Sequence, residues 1–192
     1  MKTITLPPPA ELRFAIFGRI HYLDDFVQRL HAHGLTPPVV FASPDSHYER
    51  DRRLLGALGL WGDLEGLVAK GLAIKREFED INTPECLAEL RERRCNVGMS
   101  MACRNIIRRP VIDFFEGRLF NIHDSFLPNE RGGALNTWRI LNDIRSVGDT
   151  IHQVDEGIDS GDIAFQEMVE LEQDAPLPLD YDRAQIRCVQ KV

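Results

Sequence analysis

Two polar residues in the second half of the chain have the types and the spacing that catalysis at a carbonyl carbon requires. Asn121 and His123 are two residues apart in the segment 119–123, LFNIH, whose alternation predicts a β-strand. Side chains two apart on a strand lie on the same face, so the carboxamide and the imidazole are expected side by side. An amide N–H can stabilise an oxyanion and an imidazole can move a proton, which suits acyl-type chemistry.

A third polar group follows about 40 residues later. Asp159 lies in the segment 155–161, DEGIDSG, where two glycines and short polar residues predict a tight, bent loop. Such a loop can direct the Asp159 carboxylate at the imidazole of His123. His152, on the preceding segment, is open to two interpretations: a functional group, or a strand histidine with a satisfied hydrogen bond.

The first half of the chain predicts alternating strands and helices that would carry this site. Apolar runs predict strands at residues 12–17, 39–42, 72–75 and 97–101, and amphipathic or capped segments predict helices at residues 22–33 and 83–94. This βαβ order is typical of an α/β protein with a parallel sheet, which binds ligands at the carboxyl ends of its strands. The turn at Gly18 lacks the further glycines of a dinucleotide fingerprint, which argues against a Rossmann cofactor.

Composition limits the possible functions. With 192 residues, of which 43% are hydrophobic, the chain can bury one core, so a single domain is expected. A net charge of −7 argues against a nucleic-acid partner. The absence of an 18-residue apolar run and of a signal peptide predicts a soluble, cytoplasmic protein without a membrane partner. The cysteines have no metal-site spacing, so they are expected to be reduced thiols without a metal: Cys86, Cys95, Cys103 and Cys188.

Several separated motifs carry a resemblance to a known family. They are NIHDSFLP at residues 121–128, RGGA at 131–134 with Trp138, GDTIH at 148–152, and DSG at 159–161. In this order and spacing they resemble the folate-dependent formyltransferase family, which includes glycinamide ribonucleotide transformylase, methionyl-tRNA formyltransferase and the sugar N-formyltransferases. The resemblance is clearest over residues 117–171.

The resemblance implies a Rossmann-like α/β fold, with a mostly parallel, twisted sheet of about seven strands and helices on both faces. It implies a catalytic domain at residues 11–175, after a flexible lead-in at 1–10 and before a proline-containing break and the start of a helix at 176–192. It also implies that Asn121, His123 and Asp159 are the catalytic residues and that N10-formyltetrahydrofolate is the formyl donor.

The binding residues implied by the resemblance fall into a donor side and an acceptor side. The pterin of the folate is expected to bind largely to main-chain groups of two loops, formed by Arg104, Asn105, Ile106 and Ile107 and by Val154, Asp155, Glu156, Gly157 and Ile158. The acceptor is expected near Arg131, Gly132, Gly133 and Trp138.

Departures from the family pattern bear on the acceptor. Asp124 and Leu135 stand where many members have proline, and the first turn lacks a glycine-rich phosphate cradle, which argues against glycinamide ribonucleotide. A methionyl-tRNA formyltransferase is expected to continue into a basic β domain, whereas this chain is acidic and ends at Val192. The favoured acceptor is therefore a small amine, specifically an amino sugar on a nucleotide. Hydrolysis of formyltetrahydrofolate, transfer to methionyl-tRNA, a non-catalytic folate-binding role and assembly as a homodimer stay open.

Overall fold

Alternating apolar strands and short capped helices build a mostly parallel α/β sheet, which confirms the predicted fold class. The computed structural model describes residues 3–20, 22–57, 61–171, 181 and 184. Seven strands are hydrogen-bonded in the order β3-β2-β1-β4-β5-β6-β7. The strands are β1 (Phe14–Phe17), β2 (Val39–Ala42), β3 (Ile74–Glu77), β4 (Val97–Met101), β5 (Leu119–His123), β6 (Ser146–Gln153) and β7 (Ile163–Glu170).

Six α-helices are described between the strands. The helices are α1 (Leu23–Ala32), α2 (Glu49–Gly56), α3 (Leu64–Ala69), α4 (Pro84–Glu92), α5 (Arg109–Phe114) and α6 (Leu135–Leu141). The chain divides into two compact units, residues 1–119 and 120–192. No helix in the described part of the chain is long and apolar enough to cross a bilayer.

The first unit contains the parallel part of the sheet. Strand β1 pairs in parallel with β2 and with β4, and β2 pairs in parallel with β3. Every residue of β2 and of β4 is buried, as expected for central parallel strands that are covered on both faces and therefore read as continuous apolar runs. The predicted strands 39–42 and 97–101 are confirmed to the residue.

Strand β3 lies two residues later than predicted, at Ile74–Glu77 instead of 72–75. The reason is the end of helix α3. Gly71, with φ +70°, donates its N–H to Val68 O at 2.9 Å, and Leu72 N–H donates to Leu67 O at 2.9 Å. These two bonds close the helix with a left-handed glycine, so residues 71 and 72 are committed to the cap and the strand begins after them.

Helix α4 begins as the sequence predicts and ends slightly earlier. The hydroxyl of Thr83 accepts a hydrogen bond from Cys86 N at 3.3 Å, and Pro84 occupies the first helical position. The helix ends at Glu92 because Arg94 adopts a left-handed conformation, with φ +55°, and Cys95 N–H donates to Leu90 O at 3.0 Å.

The second unit contains an antiparallel arrangement of β5, β6 and β7. Asn121 of β5 lies opposite His152 of β6, and His123 lies opposite Thr150. The hairpin of β6 and β7 has an irregularity between Ile151 and His152. A small apolar core of this unit contains Val147, Leu171, Tyr181 and Ala184.

Several predictions fall partly or wholly outside the described residues. The helix expected from residue 181 is described only at Tyr181 and Ala184, and Cys188 lies outside the described part.

At the N-terminus, a short 3₁₀ turn spans Pro9–Glu11. Cys86, Cys95 and Cys103 are free thiols. The domain bounds at residues 11 and 175 stay predictions.

Candidate functional site

The pairing of β5 with β6 brings Asn121 onto a second histidine. Asn121 Nδ2 lies 3.2 Å from His152 Nε2, and His152 Nδ1 lies 2.9 Å from the main-chain oxygen of Gln153. A carbonyl oxygen can only accept, so Nδ1 carries the proton and Nε2 of the neutral ring accepts from the Asn121 amide. Because His152 is almost completely buried, this bond orients the carboxamide of Asn121 and leaves its second N–H for another acceptor.

The imidazole of His123 is held by a main-chain carbonyl. His123 Nε2 lies 2.8 Å from the main-chain oxygen of Glu130, so Nε2 is the protonated nitrogen and the lone pair of the neutral ring is on Nδ1. The ring is buried and stands almost perpendicular to that of His152, with 6.3 Å between the ring centroids.

Asp159 comes from the loop after β6 and meets both histidines. Its Oδ2 lies 3.6 Å from His123 Nε2 and its Oδ1 lies 3.6 Å from His152 Nε2. Oδ2 also accepts a hydrogen bond from Gly132 N at 2.9 Å. The structure therefore brings the three predicted residues together and adds His152 to them. His152 is a strand histidine with a satisfied hydrogen bond, and it also contacts the other polar groups, while its functional role stays a prediction.

The backbone of Asp159 is strained in order to place the carboxylate. Asp159 has φ +49°, in the left-handed region that residues with a side chain seldom adopt. The loop is shaped by Asp155, whose Oδ1 accepts from Gly157 N at 3.0 Å and from Ser160 Oγ at 2.8 Å. Gly161 then approaches β6 so closely that a Cβ there would lie 1.9 Å from Gln153 O. Strain of this kind persists where the surrounding structure enforces it, which is typical of functional loops.

The surroundings of Asp159 keep its carboxylate ionised. Burial by itself raises the pKa, but the contact with the His152 ring, the N–H of Gly132 and the charge that the His123 ring carries when protonated together outweigh burial and lower the pKa of Asp159 from its usual 3.8. The site therefore contains a carboxylate anion next to two imidazoles at neutral pH.

The loop between β5 and α6 contributes residues that the sequence did not single out. Ser125 is fully buried, and its hydroxyl donates to the same Glu130 oxygen at 2.6 Å. Arg139 of α6 is also buried, and it forms an ion pair with the Glu130 carboxylate at 2.6 Å. Ser125 lies only two residues after His123, but it is past the end of the predicted strand. Charged residues that flank a polar loop, such as Glu130 and Arg139, are typical of a solvated surface. No sequence signal distinguished them.

The predicted acceptor residues differ in their contacts. Gly132 contacts Asp159 directly and has φ +86°, a conformation in which glycine is favoured. Arg131 and Gly133 are exposed. Trp138, in α6, is 61% exposed, which is unusual for an indole in a folded chain and is compatible with a binding surface.

The predicted donor loop at residues 154–158 is exposed. Asp155, Glu156, Gly157 and Ile158 are all exposed, and the Ile158 side chain is 72% accessible. Val154 is half-buried at the end of β6. The loop therefore presents main-chain groups together with one large aliphatic side chain, while the Asp155 carboxylate is engaged within the loop.

The second predicted donor loop, at residues 104–107, lies in the first unit, where side chains hold its backbone. Asn105 Nδ2 donates to Glu79 O at 2.9 Å, and Asn82 Nδ2 donates to Ile106 O at 3.0 Å. Arg104 forms an ion pair with Asp51 at 2.6 Å. Ile106 is 78% exposed and Ile107 is half-buried.

The Cys103 thiol and the possible metal ligands are considered next to this cluster. Burial raises the pKa of the Cys103 thiol to about 11, so the thiol is protonated at neutral pH and is not an activated nucleophile. In the described part of the chain, no group of three or more His, Cys, Asp or Glu is arranged to hold a metal ion.

The fold and this cluster define an α/β protein that gathers an amide, two imidazoles and a carboxylate on one antiparallel strand pair and its loops. Residues 12–178 match the Formyl transferase family, and the chain belongs to that family. It is 27% identical to methionyl-tRNA formyltransferase from Caldanaerobacter subterraneus subsp. tengcongensis over 85% of this chain and 52% of that protein. The chain thus spans about half the length of this curated relative.

Solved structures show the same fold across different members of the family. Glycinamide ribonucleotide transformylase 1 from Geobacillus kaustophilus has a TM-score of 0.73 at 18% identity, over 94% of both chains. A formyltetrahydrofolate deformylase from Pseudomonas syringae pv. tomato has a TM-score of 0.72 at 19% identity, over 94% of this chain and 58% of that one. A sugar 3N-formyl transferase, solved in the presence of dTDP and 5-N-formyl-THF, has a TM-score of 0.69 at 20% identity, over 94% and 60%.

Proposed function

We propose that the protein is an N-formyltransferase that moves a formyl group from N10-formyltetrahydrofolate to the amino group of a small acceptor. The observation that carries this proposal is the cluster of Asn121, His123 and Asp159. The Asn121 amide and the ionised Asp159 carboxylate both lie next to His152, and the carboxylate also lies next to the His123 imidazole. Membership of the family supports the reaction type. The donor supplies an activated formyl carbon, and the chain supplies the groups that stabilise charge and move protons.

Asn121 is proposed as the oxyanion donor. When an amine attacks the formyl carbon, negative charge develops on the formyl oxygen. The bond from Asn121 Nδ2 to His152 Nε2 occupies one amide hydrogen and orients the group, so the second hydrogen is pre-positioned for the oxyanion. A pre-oriented donor is effective because it needs no reorganisation during the reaction.

His123 and Asp159 are proposed to handle the proton and the positive charge. The acceptor nitrogen must lose a proton and the folate nitrogen must gain one, so the site needs a group that can exchange protons. His123 has its Nε2–H on the Glu130 carbonyl and an unprotonated Nδ1. Asp159, 3.6 Å from Nε2, stabilises the imidazolium that forms when the ring takes up a proton.

The donor loops fit a folate by their chemistry. A pterin is a flat, partly apolar heterocycle with donors and acceptors at its edge, so it needs main-chain groups next to apolar side chains. Residues 154–158 present main-chain groups and the exposed Ile158, and residues 104–107 present main-chain groups and the exposed Ile106. Asn105 and Asn82 hold the second loop in place.

For the acceptor, we propose a nucleotide-linked amino sugar. Trp138 offers an exposed ring for stacking against a sugar or a base, and the exposed Arg131 suits a diphosphate. The Gly132 N–H to Asp159 bond ties this acceptor segment to the catalytic carboxylate. The fold is shared with the sugar 3N-formyl transferase and equally with glycinamide ribonucleotide transformylase 1, so this proposal rests on the side chains and not on the fold.

The test is a direct assay of formyl transfer. The protein is incubated with N10-formyltetrahydrofolate and a panel of amines: dTDP- and UDP-linked amino sugars, glycinamide ribonucleotide and methionyl-tRNA. Folate release and product mass are followed together. Gain of a formyl mass on an amino sugar nucleotide supports the proposal, and gain on another amine corrects the acceptor. Folate release that is independent of added amine would instead show a hydrolase, and no release would contradict an enzyme of this type.

A further inference from the structure

Arg139 is a charged side chain that the fold buries close to the proposed site. It is 1% exposed and is among the largest fully buried side chains of the chain. Burial of a guanidinium costs desolvation energy, so such groups are retained with close anionic or carbonyl partners.

The guanidinium of Arg139 contacts both ends of the segment 124–130. It donates to the Glu130 carboxylate, with Nη2 2.6 Å from Oε2 and Nε 3.4 Å from Oε1. The same Nη2 donates to the main-chain oxygen of Asp124 at 2.8 Å, and Nη1 donates to Asn136 Oδ1 at 3.0 Å. Asp124 directly follows His123 in the chain, so Arg139 spans from the end of β5 to the residue whose carbonyl holds the imidazole.

The main-chain oxygen of Glu130 is the partner of His123. It accepts from His123 Nε2 at 2.8 Å and from Ser125 Oγ at 2.6 Å. Because a carbonyl oxygen cannot donate, this contact selects the Nε2–H tautomer and leaves the lone pair on Nδ1. Glu130 therefore makes two contacts: its carboxylate binds Arg139, and its main-chain oxygen accepts a hydrogen bond from the His123 imidazole.

We propose that Arg139 is a positioning residue for His123. It fixes Glu130 and Asp124, and through them it keeps the Glu130 carbonyl on the imidazole N–H. This inference rests on the proposed function for its catalytic meaning. The tautomer of His123 and the orientation of its ring, however, are properties of the free protein.

The experiment uses four variants of the full chain. Arg139→Met removes the guanidinium but keeps much of the side-chain length, and Arg139→Lys keeps the charge without the planar fork. Glu130→Ala removes the anchoring carboxylate while retaining the main-chain acceptor. Arg145→Met is the matched control, since Arg145 pairs with Asp143 at the surface, where its side chain is 47% exposed.

A merely structural role would not change the ¹⁵N spectrum of the His123 ring, which is recorded while the pH is raised until the shifts no longer change. In the wild type and in Arg145→Met, we expect a single tautomer with Nε2 protonated. In Arg139→Met and Glu130→Ala, we expect shifts averaged towards a mixture of the two tautomers. Arg139→Lys is expected to lie between the wild type and Arg139→Met.

Formyl-transfer kinetics provide the second readout. Misplacing a catalytic group can cost up to about 100-fold in rate, so we expect kcat to fall about 10-fold or more in Arg139→Met and Glu130→Ala, with a much smaller change in KM. Wild-type ¹⁵N shifts of His123 in either folded variant would overturn the proposal. If Arg139→Met fails to fold, Arg139→Lys decides, because it keeps a positive charge opposite the Glu130 carboxylate and removes only the planar fork.

The two readouts separate this inference from the proposed function. The ¹⁵N measurement needs neither donor nor acceptor. A protein that transfers no formyl group, yet loses the His123 tautomer when Arg139 is replaced, would refute the function and retain the positioning. If the protein transfers formyl groups but the variants keep the His123 shifts and kcat of the wild type, the function is supported and the positioning role of Arg139 is refuted.

Discussion

Replacement of Asn121 by alanine tests the proposed oxyanion donor most directly. Asn121→Ala removes the carboxamide and leaves the strand otherwise intact. Removal of one oxyanion donor typically costs about 100- to 1000-fold in kcat, or about 2.7–4 kcal/mol of transition-state stabilisation. Here the donor is already oriented by its 3.2 Å contact with His152, so we expect the loss to lie in this range.

The effect on stability is expected to be much smaller than the effect on rate. The side chain is half-buried and is hydrogen-bonded to one ring nitrogen of His152, so truncation removes one hydrogen bond, worth about 0.5–1.5 kcal/mol. For a chain of this size, that corresponds to a decrease of the melting temperature of only a few degrees, at about 2–4 °C per kcal/mol. A variant that stays folded at assay temperature with about 100-fold lower kcat would fit the proposal.

A matched control separates loss of an amide from loss of the catalytic amide. Gln166 Nε2 donates to Leu127 O at 2.7 Å and to Thr150 Oγ1 at 3.0 Å in the same unit. Because Gln166→Ala removes two hydrogen bonds, it is expected to cost at least as much stability as Asn121→Ala, with little change in kcat. The assay is formyl transfer followed by product mass, with thermal melts of both variants. If turnover of Asn121→Ala stayed within about fivefold of wild type, Asn121 would not be the oxyanion donor.

Three further predictions concern pH, loop geometry and stability. The pKa of Asp159 is lowered from 3.8, so its ionisation stabilises the folded state above pH 3.8, and this contribution is lost as the pH falls through the folded-state pKa. Thermal melts from about pH 6 to 2.5 should therefore show wild type losing more stability than Asp159→Asn below about pH 4. Parallel curves for the two proteins would contradict this. Gly161→Ala would place a Cβ 1.9 Å from Gln153 O, so it should displace the Asp159 loop, cost about 1–3 kcal/mol of the free energy of unfolding and lower kcat. Gly56→Ala is the comparison for a glycine replacement without a clash, because the added Cβ meets no neighbour within 4 Å and the backbone there is not left-handed. Thr83→Ala removes the acceptor for Cys86 N and should cost about 1 kcal/mol in denaturant unfolding, while Thr83→Ser should restore most of it; equal stability of the two variants would show that the cap contributes nothing.

Much of the first unit followed from local sequence patterns. Strands β2 and β4 were predicted to the residue because central parallel strands are continuous apolar runs bounded by polar turns. Helix α4 was predicted from a capping threonine followed by proline, which the structure confirms. The error at β3 arose because Gly71 and Leu72 close helix α3, and that cap uses residues whose apolar character resembles the start of a strand.

Parts of the site depended on contacts that no local pattern contains. The arrangement of Asp159 against His123 was predicted from turn residues, and the distance of 3.6 Å confirms that they meet. The contact of His152 with Asn121 requires the register of β5 against β6, which a one-residue slip would abolish. The roles assigned to these residues stay proposals.

The sequence by itself determined which side chains share a face, because the two-residue period of a strand is a local property: Asn121 and His123 lie together whatever the strand pairs with. Only the tertiary structure decided the protonated nitrogen of His123, which follows from its 2.8 Å contact with the Glu130 carbonyl. That contact closes a loop, and the loop is held by Arg139 from the next helix. Loop closure and burial of this charge join residues 7 to 15 positions apart that no helix or strand period links, so residue type and spacing could not reveal them.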